Sequence, residues 1–292
     1  MEQINENCNE MFINDFDSDI FEPNMEPRET KKQDTNKPKE EVVYVNKRRL
    51  KTREKIKQKK KEQSYQNKIN TMNMTKEEKD VYYDNLRAQK KQLKLAVLSA
   101  MNSPFIIVFD FDYHLYMQSD EFKSLFLQIS MCYGLNKTNK TKINYYLTNY
   151  KDSIKEGLER MGAKYWHCHQ HSEPFFKISE LTSLNKEFVY LSPDSPNELT
   201  EVSDDKIYVI GGLVDKPIIK NRSLLRCSQI EEECKGTIKI TSARLPLGKY
   251  IENLRCPALN VNTVAEIISY KRDGDNWDKA IEKALPNRML RK

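Results

Sequence analysis

Three stretches of the chain place reactive side chains at spacings that could do chemistry. At residues 105–115, FIIVFDFDYHL, an apolar run ends in Asp110 and Asp112. Two carboxylates one residue apart at a strand end can serve as a nucleophile and its acid/base partner. At residues 166–171, WHCHQH, three imidazoles alternate: His167, His169 and His171, with Cys168 between the first two. On a strand these rings would share one face and could hold a metal. At residues 208–221, YVIGGLVDKPIIKN, a buried strand ends in Gly211 and Gly212, where backbone can approach a ligand closely. It then delivers Asp215, Lys216 and Lys220 to the carboxyl edge of the sheet, where open α/β folds bind ligands.

Each stretch also has a plainer reading. The Asp-x-Asp run resembles the first motif of haloacid-dehalogenase-type phosphohydrolases, which present both carboxylates to magnesium and phosphate. Those enzymes need a later acidic metal motif, whereas GGLVDK holds one carboxylate, and Tyr113 stands where Thr or Val usually follows. Capping of a turn is the simpler role for Asp110 and Asp112. The histidine spacing matches no zinc pattern and supplies no fourth ligand, so an exposed edge strand or loop without metal is expected. Gly-Gly after a strand can equally be a tight turn.

The elements that position these residues lie in the C-terminal two thirds of the 292 residues, where the apolar runs fall. That length allows one domain of about 200 residues plus a poorly packed tail. The formal charge is +6, from 49 Lys and Arg against 43 Asp and Glu, and it is unevenly spread. Residues 1–30 are acidic; residues 47–61, KRRLKTREKIKQKKK, are nearly all Lys and Arg, which suggests a polyanionic partner, nucleic acid or membrane surface. No apolar run reaches the roughly eighteen residues that span a bilayer, and the acidic start lacks the charge pattern of a signal or transit peptide. A soluble protein of nucleus or cytoplasm, not secreted, is expected. Cys8, Cys132, Cys168, Cys227, Cys234 and Cys256 show no CxxC spacing, which argues for reduced thiols.

Residues 1–74 carry few aliphatic residues and no sustained period, so disorder or induced helix is expected there. A capping-box pattern, Thr75 with Glu78, opens a basic helix over 75–101 that leads a domain over 75–292. From Phe105 strands and helices alternate. FIIVFDF, INYYLT, FVYLS, KIYVIGG and TIKI (237–240) read as strands. SDEFKSLFLQISMCYG places Phe122, Leu125, Phe126 and Ile129 on one helical face, with Gly134 as the expected stop. DSIKEGLERMG, RSLLRCSQIEEEC, NVNTVAEIISYKR and NWDKAIEKALPNR read as further helices. The pattern predicts an α/β fold with a parallel sheet covered on both faces.

FVYLSPDSPNEL, YVIGGLVDKPIIKN, ARLPLGKYI, LNVNTVAEII and NWDKAIEKALPNRM, in this order and at these separations, resemble the tRNA purine-9 N1-methyltransferases of the SPOUT class. The resemblance covers roughly residues 86–288. It implies an α/β domain whose C-terminal part forms a deep trefoil knot, an exception to the rule against threaded loops. It implies an S-adenosylmethionine pocket built from Leu191, Gly212, Lys216, Pro217, Ile218, Ile219, Lys220, Ser223, Leu245, Pro246, Leu247, Leu259 and Val261, with S-adenosylhomocysteine as product. Asp215 matches the proposed general base, and Asp110 a strand-ending Asp; Asp112 has no counterpart. Pro217 departs from the family, where Asn commonly follows the basic position.

The reaction so implied is methylation of N1 of the purine at position 9 of tRNA, guanosine foremost, by a monomer that needs no metal. N1 lies on the Watson-Crick edge, so the target nucleotide must leave the stack. Lys47, Arg48, Arg49, Lys51 and Arg53, with Arg87, Lys90, Lys91 and Lys94 of the basic helix, are the candidates for phosphate contacts. The basic block also has the look of a nuclear localisation signal. A catalytically silent tRNA-binding protein of the same fold is the competing reading.

Overall fold

The structure, a computed structural model, describes residues 47–215, 219–251 and 258–285. The chain divides into two compact units, Met1–Lys90 and Lys91–Lys292. The first unit holds helix α1 (Lys47–Met72), within the stretch read as disordered or induced helix, and most of α2 (Lys76–Ser99). The capping box that opens α2 is formed as expected: Thr75 N–H donates to Glu78 Oε2 at 2.7 Å, and Glu78 N–H to Thr75 Oγ1 at 3.3 Å.

The second unit is built on six strands. They are β1 (Ile106–Asp110), β2 (Asn144–Thr148), β3 (His169–Gln170), β4 (Glu187–Leu191), β5 (Lys206–Gly211) and β6 (Ile240–Ala243). They form one sheet in the order β3-β2-β1-β5-β4-β6, every pair parallel. Between them run α3 (Ser119–Thr138), α4 (Asp152–Arg160), the single turn α5 (Ser179–Thr182) and α6 (Arg222–Cys234); α7 (Val261–Arg272) and α8 (Trp277–Ala284) follow β6. Among the described residues no helix is long and apolar enough to cross a membrane.

Strand alternation sorts the core into two layers. Phe105, Ile107, Phe109 and Phe111 face a cluster with residues of α3, α4, α7 and α8, whereas Ile106 and Val108 face Phe175, Phe176, Leu181 and the α6 residues Cys227 and Ile230. Both faces are thus covered, which is why the strands read as continuous apolar runs. The expected stripe of α3 packs inward: Leu125, Phe126 and Ile129 are buried and Phe122 packs against them.

Two boundaries differ from expectation. Gly134 does not stop α3, which continues to Thr138. The extra turn places buried Asn136, whose amide donates to Ile143 C=O and accepts Ile143 N–H, both at 2.7 Å. That pairing joins the helix end to the entry of β2 and outweighs the roughly 1 kcal/mol cost of a mid-helix glycine. The last strand is shifted three residues along from TIKI and starts at its final residue, Ile240. Lys235 and Gly236 take left-handed backbone after α6, and Thr237 N–H bonds back to Cys234 C=O, so residues 237–239 serve the turn and pairing starts at Ile240.

Candidate functional site

The carboxyl ends of β4, β5 and β6 open onto a cavity of about 760 Å³. Its floor is Leu191, Ile210 and Ala243, the last or next-to-last residues of those strands. Adjacent parallel strands all end there, so their loops diverge and leave a crevice.

The loop after β4 forms one wall and is tied to β6. Ser192 N–H donates to Ala243 C=O at 2.9 Å, and Ser195 and Ser242 hydroxyls bond at 2.9 Å. Arg244 Nη1 donates to the carbonyls of Ser195 (2.7 Å) and Pro196 (2.9 Å). The same loop reaches the start of α6: Asn221, in left-handed backbone, donates its N–H to Asp194 Oδ2 at 2.7 Å, and Ser223 Oγ donates to Ser192 Oγ at 2.8 Å. Leu245, Leu247, Leu259 and Val261 supply the apolar wall opposite. Val261 is fixed from behind, its N–H donating to Gln128 Oε1 of α3 at 2.8 Å.

Of the residues expected at a cofactor pocket, Leu191, Ile219, Ser223, Leu245, Leu247, Leu259 and Val261 line this cavity, as does Asp215. Lys216, Pro217 and Ile218 lie outside the described residues. Gly212, Lys220 and Pro246 are not among the lining groups. Gly212 packs closely: a Cβ there would stand 2.3 Å from the Phe111 ring, and its N–H donates to Asp110 C=O at 2.8 Å. Lys220 is exposed in the turn before α6. Sequence reading missed Ser192, Asp194, Arg222 and Arg244; the polar SPDSPN run after β4 was the available signal for the first two.

Asp215 is partly exposed, and its Oδ2 accepts the N–H of Ile219 at 2.8 Å. One carboxylate oxygen is therefore engaged by a backbone donor while the group borders the cavity. Arg222, at the first position of α6, lays its guanidinium over the exposed ring of Tyr116, 4.3 Å from the centroid.

Asp110 and Asp112 do not make a phosphatase centre. Asp110 is fully buried and lies outside the cavity lining. It accepts bonds from Asn149 Nδ2 (2.8 Å), Tyr190 OH (3.1 Å), Arg226 Nε (3.3 Å) and Asp112 N–H (3.2 Å). Arg226 also pairs with Asp112 at 2.7 Å. Burial opposes the guanidinium charge, and Asp110 with Asp112 more than reverses this, raising its pKa. Burial, then the Asp110 charge, pushes the Tyr113 and Tyr190 phenols well above their usual range, so both stay neutral donors. Asp110 is buried away from the cavity and both carboxylates are engaged by Arg226, so they are not presented together at an open site.

Of the basic residues, Arg87, Lys90, Lys91 and Lys94 are exposed on one helix at spacings that share a face, Arg87 pairing with Asp84 at 2.5 Å. The side chains of Lys47, Arg48, Arg49, Lys51 and Arg53 lie outside what is described; their backbone belongs to α1.

An all-parallel α/β sheet with a half-apolar cavity at its carboxyl edge, walled by the loops after three adjacent strands, defines a small-molecule-binding α/β domain. Comparison with known proteins narrows the class. The family model for "tRNA (guanine(9)-N(1))-methyltransferase TRM10/TRM10A" matches residues 23–290, and the chain belongs to that family. It is 31% identical over 205 residues to the Schizosaccharomyces pombe tRNA (guanine(9)-N1)-methyltransferase, covering 70% of this chain and 64% of that protein. It is 30% identical over 191 residues to human tRNA methyltransferase 10 homolog A, covering 64% of this chain and 53% of the relative. The matches thus span about half to two thirds of these curated relatives. Among solved structures, full-length spTrm10 in complex with SAH superposes with a TM-score of 0.54 at 30% identity, covering 63% of this chain and 96% of that one. The fold is therefore of the SPOUT type, shared with that structure.

Proposed function

We propose that this protein transfers the methyl group of S-adenosylmethionine to N1 of the purine at position 9 of tRNA, guanosine foremost. The observation that carries the reading is the cavity at the ends of β4, β5 and β6, which gathers Asp215 and seven of the residues a cofactor pocket of this family would use. Its apolar wall of Leu245, Leu247, Leu259 and Val261 suits an adenine ring, and the polar loop after β4 suits the ribose and amino-acid ends. The sulfonium supplies an already activated methyl, so the protein's task is to hold N1 in line and exclude competitors.

Guanine N1 carries a proton that must leave; adenine N1 does not. Asp215 borders the cavity and is the group placed to accept that proton or a hydrogen bond from the base edge. Further parts of the proposal are phosphate contacts by the basic faces of α1 and α2, a trefoil knot among the loops after β4, β5 and β6, action as a monomer, and residence in nucleus or cytoplasm.

Titration of the purified chain with S-adenosylmethionine, followed by label transfer to unmodified tRNA, tests this reading. Saturable cofactor binding with transfer is expected. A chain that binds tRNA without binding cofactor would instead be a catalytically silent relative, its cofactor loop closed by Pro217.

A further inference from the structure

At the opposite edge of the sheet, His169 and His171 stand two residues apart on and just beyond β3, so their side chains share a face. Tyr146 of β2 lies against both rings, with centroids 4.2 and 5.9 Å away and planes within 7° and 12°. The turn α5 brings Glu180 to the same face. Its Oε2 lies 3.9 Å from His169 Nδ1 and 3.9 Å from His171 Nε2. One ligand atom from each of the three residues falls within 4.8 Å of the others, and His167 is not in the group. Glu180, from another element, thus stands where the sequence pattern would have put His167.

We propose that His169, His171 and Glu180 form a zinc site, with water as the fourth ligand. Two imidazoles and one carboxylate suit zinc, whereas calcium or magnesium would need oxygen ligands throughout. Ligand atoms at about 2.1 Å from a tetrahedral ion stand about 3.4 Å apart. The two 3.9 Å separations to Glu180 need a contraction of about half an ångström, which its exposed side chain can supply by rotation, while the two imidazoles, whose ring centroids stand 6.4 Å apart, must turn toward each other as the ion binds. One outer contact is near: His169 Nε2 lies 3.5 Å from Met101 C=O, and with the proton on that nitrogen the Nδ1 lone pair is free for the ion.

The site lies beyond β2 and β1 from the cavity, so it has no part in methyl transfer. An ion there would clip α5 onto the two-residue edge strand, closing an otherwise weakly held sheet edge.

The test uses the full chain, stripped with chelator and titrated with zinc alone by calorimetry, with cobalt as a spectroscopic stand-in. One saturable equivalent and the visible absorption of four-coordinate cobalt are expected. Glu180→Ala, at an exposed position, and His171→Ala should each weaken binding at least about tenfold, and His167→Ala should not. No saturable binding in the unmodified chain, or wild-type affinity in either Glu180→Ala or His171→Ala, would overturn the site.

Discussion

The carboxylate of Asp215 accepts the backbone N–H of Ile219 at 2.8 Å, and both residues line the cavity. The proton acceptance proposed for Asp215 therefore shares a side chain with this backbone contact, and substitution can separate the two. Asp215→Asn keeps an oxygen for Ile219 N–H and removes the charge. It should lower methyl transfer to guanine about a hundredfold with much less effect on adenine, whose N1 has no proton to lose. Single-turnover rates on transcripts with G or A at position 9 decide it; an equal loss on both would assign Asp215 to the loop alone.

Arg226 is the buried counter-charge of Asp110, 3.3 Å away, with only 14% of its side chain exposed. Arg226→Met should destabilise the fold by about 3 kcal/mol, because Asp110 is left charged and unpaired. Adding Asp110→Asn should recover part of the loss. Urea denaturation of the two single variants and the double variant measures the coupling.

Two helical glycines should respond to alanine with opposite signs. A Cβ at Gly157 of α4 would stand 2.0 Å from the Phe126 ring of α3, so Gly157→Ala should cost about 1 to 3 kcal/mol by overpacking. A Cβ at Gly134 would meet nothing within 4 Å, so Gly134→Ala should stabilise by about 0.5 to 1 kcal/mol. Thermal unfolding of the two variants checks the pair.

Asp204 receives Arg272 Nε at 2.7 Å, and the second nitrogen completes a two-point pair. That hydrogen bond holds the Asp204 carboxyl below its usual range. Its contribution is therefore complete above the unfolded value of about 3.9 and is lost as pH falls through the lower folded value. With both side chains near 30% exposed, about 1 kcal/mol is expected after screening. The stability gap between wild type and Asp204→Asn should be constant above about pH 5 and shrink below about pH 4. Denaturation across that range measures it.

The sheet and most helices were legible because burial on both faces leaves a local record: continuous apolar strands such as 105–109 and the stripe of Leu125, Phe126 and Ile129. What local pattern lacks is the partner supplied from far along the chain. Asn136 extends α3 past Gly134 because Ile143 waits beyond it, and Arg226 disarms Asp110 across 116 positions. Much of the cavity was legible through family resemblance. The close approach of Gly212 to the Phe111 ring was not legible, because it depends on packing that no spacing encodes.

The most direct measurement is to incubate the chain with labelled S-adenosylmethionine and unmodified tRNA transcripts carrying G, A or C at position 9, then digest and identify the labelled nucleoside. N1-methylguanosine from the G9 transcript, with no label in the C9 transcript, is the predicted result. Absence of any N1-methylpurine, or label that persists in C9 transcripts, would contradict the account.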